Sequence, residues 1–243
     1  MKIVALIPAR YGASRFPGKM MALLKGVPVI RRTYEAILAT GLFDDIAVVT
    51  DSKEIYDDIS AHEGKAIMSW KNHETGSDRI AEAAENINAD IIVNVQGDEP
   101  FTRREPLEKL LAVFNESGAE QIDLASLMQV MHDSVQIQDP NYVKVAVDLN
   151  NFALMFSRSP IPFHRNMDVK PTYYEHIGVY AFRKQALLDF SKTPMSPLES
   201  IEKIECLRYL ENGKKIKMVV TDYMGIEIDT PEDLINAEKF IVE

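Results

Sequence analysis

The chain has 243 residues, of which 46% are hydrophobic and 26% charged, and its formal net charge is −10 at pH 7. This composition is typical of a globular protein, and the negative charge argues against a general nucleic-acid-binding protein because phosphate backbones would be repelled. The single Cys206 excludes an internal disulfide and a zinc–cysteine cluster. The apolar run before Pro8 is too short for a signal peptide or a membrane span, so we expect a cytoplasmic protein without membrane insertion.

Short apolar runs alternate with helical patterns in the first half of the chain. Three apolar runs predict strands, at 3–7, 46–50 and 90–95. The last run is almost wholly apolar, which is typical of a strand buried on both faces of a parallel sheet. Helical spacing of apolar residues predicts helices at 28–41, 51–62 and 78–87. This alternation predicts an α/β fold with a doubly wound, mostly parallel sheet.

The second half of the chain is less regular. Four strand patterns follow in quick succession, at 123–130, 142–148, 152–157 and 176–182. They predict a smaller antiparallel subdomain. One apolar stripe predicts a single helix over 197–212, and a strand at 215–222 followed by a helix from Thr230 restores the α/β pattern. No linker interrupts the sequence, so we expect one continuous domain.

PARYGASRFPGK, residues 8–19, is a basic loop that follows the first predicted strand. It carries Arg10, Arg15 and Lys19, and ligands of open α/β sheets bind beyond the carboxyl ends of strands. The loop is neither a P-loop nor a dinucleotide fingerprint, because five residues separate its glycines and Met20 follows the lysine. We favour a phosphate-binding loop over a solvated surface loop, since such a constrained and charged segment would otherwise have little purpose.

NVQGDEP (94–100) and GIEIDTPED (225–233) place Asp98 and Asp229 where predicted strands end. Magnesium takes one or two protein carboxylates beside substrate phosphates, so both residues are candidate ligands. The alternatives are a turn aspartate in the first motif and, in the second, a helix start at Thr230 that leaves only Asp229 unexplained. No nucleophile motif occurs, which favours direct displacement at phosphorus.

Three further motifs hold candidate binding residues. HETGSDR, residues 73–79, is a candidate turn for contacting an anion or a base. SRSPIPF and YYEHIGVY place Arg158, His176 and Tyr180 in the irregular half, where a second substrate has room. On residue type alone, a structural or solvated role is the commoner outcome for such residues.

Seven motifs together carry a resemblance that no single one carries: IPARYGASRFPGK, HETGSDR, NVQGDEP, FSRSPIPF, HIGVYAFR, SPLESIEKIECLRYLENGKKIK and IDTPEDL. In this order, and over nearly the whole chain, they resemble the 3-deoxy-manno-octulosonate cytidylyltransferases, also called CMP-KDO synthetases. The resemblance implies a nucleotidyltransferase, Rossmann-like fold and a homodimer. It also implies transfer of CMP from CTP to the anomeric hydroxyl of the acidic eight-carbon sugar KDO, with Mg²⁺ and release of pyrophosphate, for lipopolysaccharide synthesis.

The resemblance implies roles for individual residues. Contacts with the triphosphate and cytidine fall on Pro8, Ala9, Arg10, Ser14, Arg15, Lys19, His73, Ser77, Arg79 and Gln96. Magnesium ligands fall on Asp98 and Asp229, and sugar contacts on Arg158, His176, Tyr180 and Glu205. We expect Arg15, Lys19, Asp98 and Asp229 to be catalytic. Within one cytidylyltransferase domain, 1–243, residues 1–120 would mainly bind the nucleotide and 121–243 the sugar and the dimer partner.

Cys206 departs from the family pattern, in which glutamine follows the glutamate of the sugar-binding helix. A thiol lacks the hydrogen bonds that an amide offers to a sugar hydroxyl. The 8-amino analogue of KDO, or another acidic sugar such as a sialic acid, therefore stays open as the acceptor. The non-catalytic alternative is a regulatory module, which would bind CTP without releasing pyrophosphate.

Overall fold

The computed structural model describes residues 1–12, 16–222 and 225–241. The chain forms two compact units, one made of Met1–Leu107 with Gly225–Glu243 and the other of Glu108–Met224. In sequence, the second unit is therefore inserted between two segments of the first. The expected division of labour at residue 120 stays a prediction, but the compact units divide elsewhere.

The first unit contains a parallel sheet. Its strands and a short hairpin are β1 (Ile3–Ala9), β2 (Leu23–Leu24), β3 (Val27–Pro28), β4 (Asp45–Thr50), β5 (Ala66–Met68) and β6 (Ile91–Asn94). The parallel order is β6-β1-β4-β5, and β2 pairs with β3 in the hairpin. The described helices are α1 (Val29–Thr40), α2 (Lys53–Ala61), α3 (Gly76–Ala84) and α4 (Arg104–Ala112), which crosses the sequence boundary between the units. β6 is buried along its whole length, as its apolar sequence predicts.

Local signals set the ends of these helices. α1 ends where Gly41 adopts a left-handed conformation with φ 62°, which glycine adopts without strain. The Ser52 side chain caps α2 and the Thr75 side chain caps α3. α3 therefore begins two residues before the predicted start, within the HETGSDR motif.

The second unit is mainly antiparallel. Its strands are β7 (Leu124–Met131), β8 (Lys144–Val147), β9 (Ala153–Ser157), β10 (Tyr173–Arg183) and β11 (Ile216–Val220). β10 pairs antiparallel with β7 and β8, β8 pairs antiparallel with β9, and β11 lies parallel to β7. Its helices are α5 (Ser134–Gln138), α6 (Lys184–Lys192), α7 (Pro197–Glu202) and α8 (Cys206–Glu211). The α/β fold and the antiparallel element predicted in the second half are confirmed.

The helix predicted over 197–212 is wrong, because two helices occupy that segment. Lys203 takes a left-handed conformation with φ 56° and ends α7. α8 then packs beside α7 through a buried ion pair in which Arg208 Nη2 lies 2.6 Å from Glu199 Oε1. The apolar stripe is continuous in sequence although the helix is interrupted.

The last segment returns to the first unit and ends in α9 (Pro231–Ala237). Ile228 and Ala237 are fully buried in one cluster with Leu24 and Val29. This apolar contact explains why residues 225–241 belong with the first unit and not with the sequence that precedes them. Among the described residues, no helix is long and apolar enough to cross a membrane.

Candidate active site

A pocket opens in the first unit where β1 and β6 end. β1 leads into Arg10, β6 leads through Val95 into Gln96, and the start of α3 forms another wall. Its described lining consists of Pro8, Ala9, Arg10, Phe16, Lys19, Met20, His73, Glu74, Thr75, Gly76, Arg79, Gln96, Asp98 and Asp229. The pocket therefore joins the basic loop, both predicted carboxylates and the HETGSDR turn, as expected for the carboxyl edge of a parallel sheet.

An ammonium group joins the two carboxylates of this pocket. Lys19 Nζ donates to Asp98 and, at 2.7 Å, to Asp229 Oδ1. Burial alone would lower the pKa of Lys19, but the two carboxylates outweigh it and raise that pKa above its ordinary value. Ile228 N also donates to Asp98 O at 3.0 Å, which brings the segment carrying Asp229 beside the end of β6.

The carboxylates fit a hard divalent cation. Oxygens of Asp98, Glu227 and Asp229 lie within 4.8 Å of one another, and carboxylate oxygen is the protein ligand that Mg²⁺ prefers. The neighbouring Glu99 does not add a full charge, because burial, Asp98 and Glu227 raise its pKa to about 8. Sequence reasoning missed Glu227, since one more acid in an acidic motif carries no distinct signal.

A cluster of uncharged residues, Pro8, Gly76 and Gln96, lies in the same pocket. A Cβ added at Gly76 would lie 3.0 Å from Pro8 Cγ and 3.5 Å from Gln96 Oε1, so Gly76 lies close to both residues. A Cβ at Gly97 would lie 3.0 Å from Pro8 O, which explains the glycine of the QGD turn. Thr33 Oγ1 fixes that turn by donating to Gly97 O at 2.8 Å.

Arg79 and Ser77 are held differently although both lie on α3. Arg79 Nη2 donates to Asp51 at 2.6 Å, whereas its buried Nη1 has no hydrogen-bond partner in the described part of the chain. Such an unpaired donor lining a pocket is available to a ligand acceptor. Ser77 is fully buried beside Asn94 and is not among the described lining residues. Ser14 and Arg15 lie outside the described residues.

His73 is held by Glu82, which sequence reasoning did not single out. His73 Nε2 lies 2.7 Å from Glu82 Oε2, and Ser69 Oγ donates to the same oxygen at 2.7 Å. Burial would raise the pKa of Glu82, but the bonds to His73, Ser69 and Trp70 lower it to about 2. His73 and Glu82 lie nine positions apart, across a turn and part of a helix, so no periodic pattern links them.

In the second unit, His176 and Tyr180 come together on β10. Their ring centroids are 5.6 Å apart, and the His176 ring also packs edge-on against Phe156. His176 Nε2 lies 3.0 Å from Ser126 Oγ. Burial lowers the pKa of His176 to about 4, so the ring is neutral near pH 7 and serves as a hydrogen-bonding group.

Arg158 and Tyr180 have partners within the second unit. Arg158 Nε donates to Glu202 O at 2.7 Å, and its Nη1 donates to Pro140 O at 2.8 Å. Tyr180 hydrogen-bonds to Cys206, whose side chain is buried and whose thiol pKa is raised by that burial. Glu205 is half-buried at the start of α8. Cys206 is therefore an internal partner of Tyr180 in this structure.

Comparisons with known proteins show what the chain is similar to. The sequence profile of the cytidylyltransferase family matches residues 4–216. A 3-deoxy-manno-octulosonate cytidylyltransferase from Christiangramia forsetii is 59% identical over 240 residues, covering 99% of this chain and 97% of that protein. A protein of the same name from Flavobacterium johnsoniae is 58% identical, covering 99% of both.

Two solved structures extend the comparison. The structure of a CMP:2-keto-3-deoxy-manno-octonic acid synthetase complexed with CTP matches with a TM-score of 0.92 and 37% identity, covering 98% of each chain. A 4-diphosphocytidyl-2C-methyl-D-erythritol synthase from Anaerococcus prevotii matches with a TM-score of 0.64 and 16% identity, again over 98% of each chain. The second likeness concerns the fold alone, whereas the first also has substantial sequence identity.

Proposed function

The chain belongs to the 3-deoxy-manno-octulosonate cytidylyltransferase family, and we propose that it transfers CMP from CTP to KDO with release of pyrophosphate. The observation that carries this proposal is the pocket in which Lys19, Asp98 and Asp229 converge beyond the ends of β1 and β6. Cations for a triphosphate and carboxylates for a metal ion are the groups that phosphoryl transfer requires. The relatives supply the identity of the base and the sugar.

The reaction is an in-line displacement at the α-phosphorus. The anomeric oxygen of KDO forms a bond to phosphorus, the bond from that phosphorus to the bridging oxygen breaks, and pyrophosphate leaves with the bonding electron pair. The proton of the anomeric hydroxyl passes to solvent, since the sequence and the described residues single out no general base. Arg10 and Lys19 line the pocket and provide positive charge for the triphosphate, and Arg79 Nη1 offers a further donor.

We propose Mg²⁺ as the cofactor, held by Asp98 and Asp229. When bound, this ion neutralises phosphate charge and polarises the phosphoryl oxygens. In the structure Lys19 neutralises the same two carboxylates, which keeps like charges together in a partly buried site. The chain's own residues thus hold the carboxylates in place before any ligand arrives.

The sugar acid would bind to residues of the second unit. Arg158 provides the positive charge that a sugar carboxylate needs, while the neutral His176 and Tyr180 are suited to hydroxyl groups. Glu205, half-buried at the start of α8, would accept hydrogen bonds from sugar hydroxyls. The fixed Cys206–Tyr180 bond supports KDO as the acceptor, because the thiol has a partner and need not replace the family glutamine toward the sugar.

A homodimer in the cytoplasm completes the proposal. The second unit exposes large apolar side chains at Leu149, Leu154, Phe163 and Met167, of which Leu149 is fully exposed. A contiguous apolar patch is typical of a surface that a partner covers, and we propose that these side chains contribute to such a patch. The single cysteine agrees with a reducing compartment.

Pyrophosphate release tests the proposal directly. The enzyme would be incubated with Mg²⁺, each of the four nucleoside triphosphates, and KDO, its 8-amino analogue or a sialic acid, with reactions lacking sugar as controls. We expect release with CTP and KDO, and a product with the mass of CMP-KDO. CTP binding without pyrophosphate release would instead identify a binding module, and release with ATP alone would refute a cytidylyltransferase.

A further inference from the structure

One carboxylate ties the segment before α3 to the helix itself. Glu82 Oε2 accepts from Ser69 Oγ and lies 2.7 Å from His73 Nε2, while Trp70 N donates to Oε1 at 3.4 Å. Three groups within five residues thus meet a single side chain. Glu82 therefore fixes both the path of residues 69–73 and the orientation of the His73 ring.

The contact with Glu82 determines which ring nitrogen of His73 carries hydrogen. Near pH 7 the Glu82 carboxylate is ionised and can only accept hydrogen bonds. Nε2 must then carry the proton that it donates across 2.7 Å. In the neutral ring Nδ1 is left as the acceptor, in the way that a carboxylate partner selects one tautomer of histidine in other sites.

His73 lines the pocket next to the cluster of uncharged residues. Gly76 lies close to both Pro8 and Gln96 there, and His73 leads into Gly76 through only two residues. Lys19, Asp98 and Asp229 carry charges that suit the triphosphate, so the cluster of uncharged residues suits the base. Cytosine presents an exocyclic amino donor where uracil presents a carbonyl acceptor.

We propose that Glu82 is a positioning residue that presents His73 Nδ1 to the amino group of cytosine, so that the pair makes the site prefer CTP over UTP. This proposal rests on the function proposed above and deepens it. An acceptor fixed in this way forms a hydrogen bond with cytosine and faces another acceptor in uracil. Selectivity of this kind arises because the site's polar groups are left unpaired by the wrong base.

Direct nucleotide binding to Glu82→Gln tests the proposal without relying on turnover. The glutamine amide can donate to Nε2, which releases the ring to carry its proton on Nδ1. Titration calorimetry would measure the affinities for CTP and UTP. Fluorescence of Trp70, the one tryptophan in the chain and 82% exposed, would follow the same titrations. We expect the CTP-over-UTP preference to fall roughly tenfold, the effect of one lost buried hydrogen bond.

Two control variants separate positioning from local stability. Glu85→Gln makes the same chemical change at an exposed residue just after α3 and should leave both affinities unchanged. Ser69→Ala removes another bond to Glu82 but leaves the His73 contact, so the preference should persist. If Glu82→Gln and Ser69→Ala weakened CTP and UTP binding equally, Glu82 would only stabilise the segment, and the proposal would be wrong.

Nitrogen NMR of the histidine rings supplies a test that needs no variant to fold. In the wild-type protein we expect hydrogen on Nε2 of His73 and none on Nδ1, and hydrogen on Nδ1 would overturn the proposal. A chain that binds CTP selectively but releases no pyrophosphate would refute the proposed function and leave this inference standing. Normal CMP transfer with an unchanged preference in Glu82→Gln would do the reverse.

Discussion

The candidate nucleotide residues of the first unit and the candidate sugar residues of the second differ in how their polar groups are satisfied. Lys19 forms ion pairs with Asp98 and Asp229, which ligand phosphates and a metal ion can replace. His176 and Tyr180 instead have neutral partners within the second unit, Ser126 and Cys206. The first set is therefore suited to charge development, and the second to holding a defined shape. Substitutions should separate the two roles.

The largest effect is expected from Asp98→Asn. Loss of one of the two carboxylates that face Lys19 should lower kcat/KM for CTP by about a thousandfold, because charge stabilisation at phosphorus depends on it. Pyrophosphate release measures the effect, with circular dichroism to confirm folding. Asp57→Asn, on the exposed face of α2, is the matched control and should have normal activity. Near-normal turnover in folded Asp98→Asn would remove Asp98 from the mechanism.

Lys19→Met keeps most of the side-chain length and removes the charge. We expect kcat/KM to fall roughly a hundredfold. The free energy of unfolding should also fall, by about 1–3 kcal/mol, because Asp98 and Asp229 are left together without the ammonium. Urea unfolding at pH 7 measures this second effect.

An exposed lysine is the control for that stability effect. Lys53 pairs with Asp57, but its side chain is 82% exposed, against 11% for Lys19. Lys53→Met should therefore change stability by less than about 0.5 kcal/mol. Equal effects of the two substitutions would show that the site pair does not stabilise the fold.

The second unit should respond to acid through His176. Its pKa is lowered from 6.5 to about 4, so between these values the unfolded chain binds more protons than the folded one. The stability that the neutral ring contributes is complete above pH 6.5 and is lost as the pH falls toward 4, by up to about 3 kcal/mol. His176→Gln should remove this dependence, as measured by urea unfolding from pH 7 to pH 4.

Wild type must be compared with His176→Gln because the neighbouring Glu175 titrates in the opposite sense. Burial raises the pKa of Glu175 to about 7 although Lys144 lowers it, so Glu175 favours the folded state as the pH falls. Wild-type stability alone would mix the two contributions. An unchanged difference between wild type and His176→Gln across this range would show that His176 is not kept neutral by the fold.

The smallest effect is expected from Tyr180→Phe, which removes the hydroxyl bonded to Cys206 but keeps the ring against His176. KM for KDO should rise roughly tenfold while CTP binding stays unchanged. Steady-state kinetics with varied sugar, and calorimetry with CTP, separate the two. Tyr56→Phe, on α2 of the first unit, serves as the control. A loss of CTP affinity in Tyr180→Phe would break the assignment of this residue to the sugar.

The same contrast decided what the sequence could predict. Lys19, Asp98 and Asp229 were found because charged residues follow apolar strands, and parallel strands end at one edge of the sheet. A sequence motif named His176 and Tyr180 as candidate contacts of a second substrate, but their assignment to the sugar came through resemblance, since neutral residues with internal partners carry no pattern of their own. The Arg158–Glu202 contact joins residues 44 positions apart and is fixed by tertiary packing alone.

Sequence reasoning missed two features, the break between α7 and α8 and the role of Glu82, because no local pattern encodes them. Lys203 ends α7 in a left-handed conformation that glycine or asparagine usually adopts, so the sequence predicted one helix where there are two. Glu82 was overlooked because its partner His73 lies before the helix on which Glu82 sits. The roles assigned to Ser14 and Arg15, outside the described residues, and the division at residue 120 stay predictions.

The bond from Lys19 to Asp229 joins residues 210 positions apart. The two residues lie on the two segments of the first unit that the second unit separates in sequence. During synthesis from the N-terminus, the ribosome makes Lys19 and Asp98 long before Asp229. For most of translation, this corner of the pocket therefore lacks one of its carboxylates. We expect a nascent chain stopped before residue 225 to contain most of the sheet and yet bind no nucleotide tightly, so that binding competence arises only as synthesis ends.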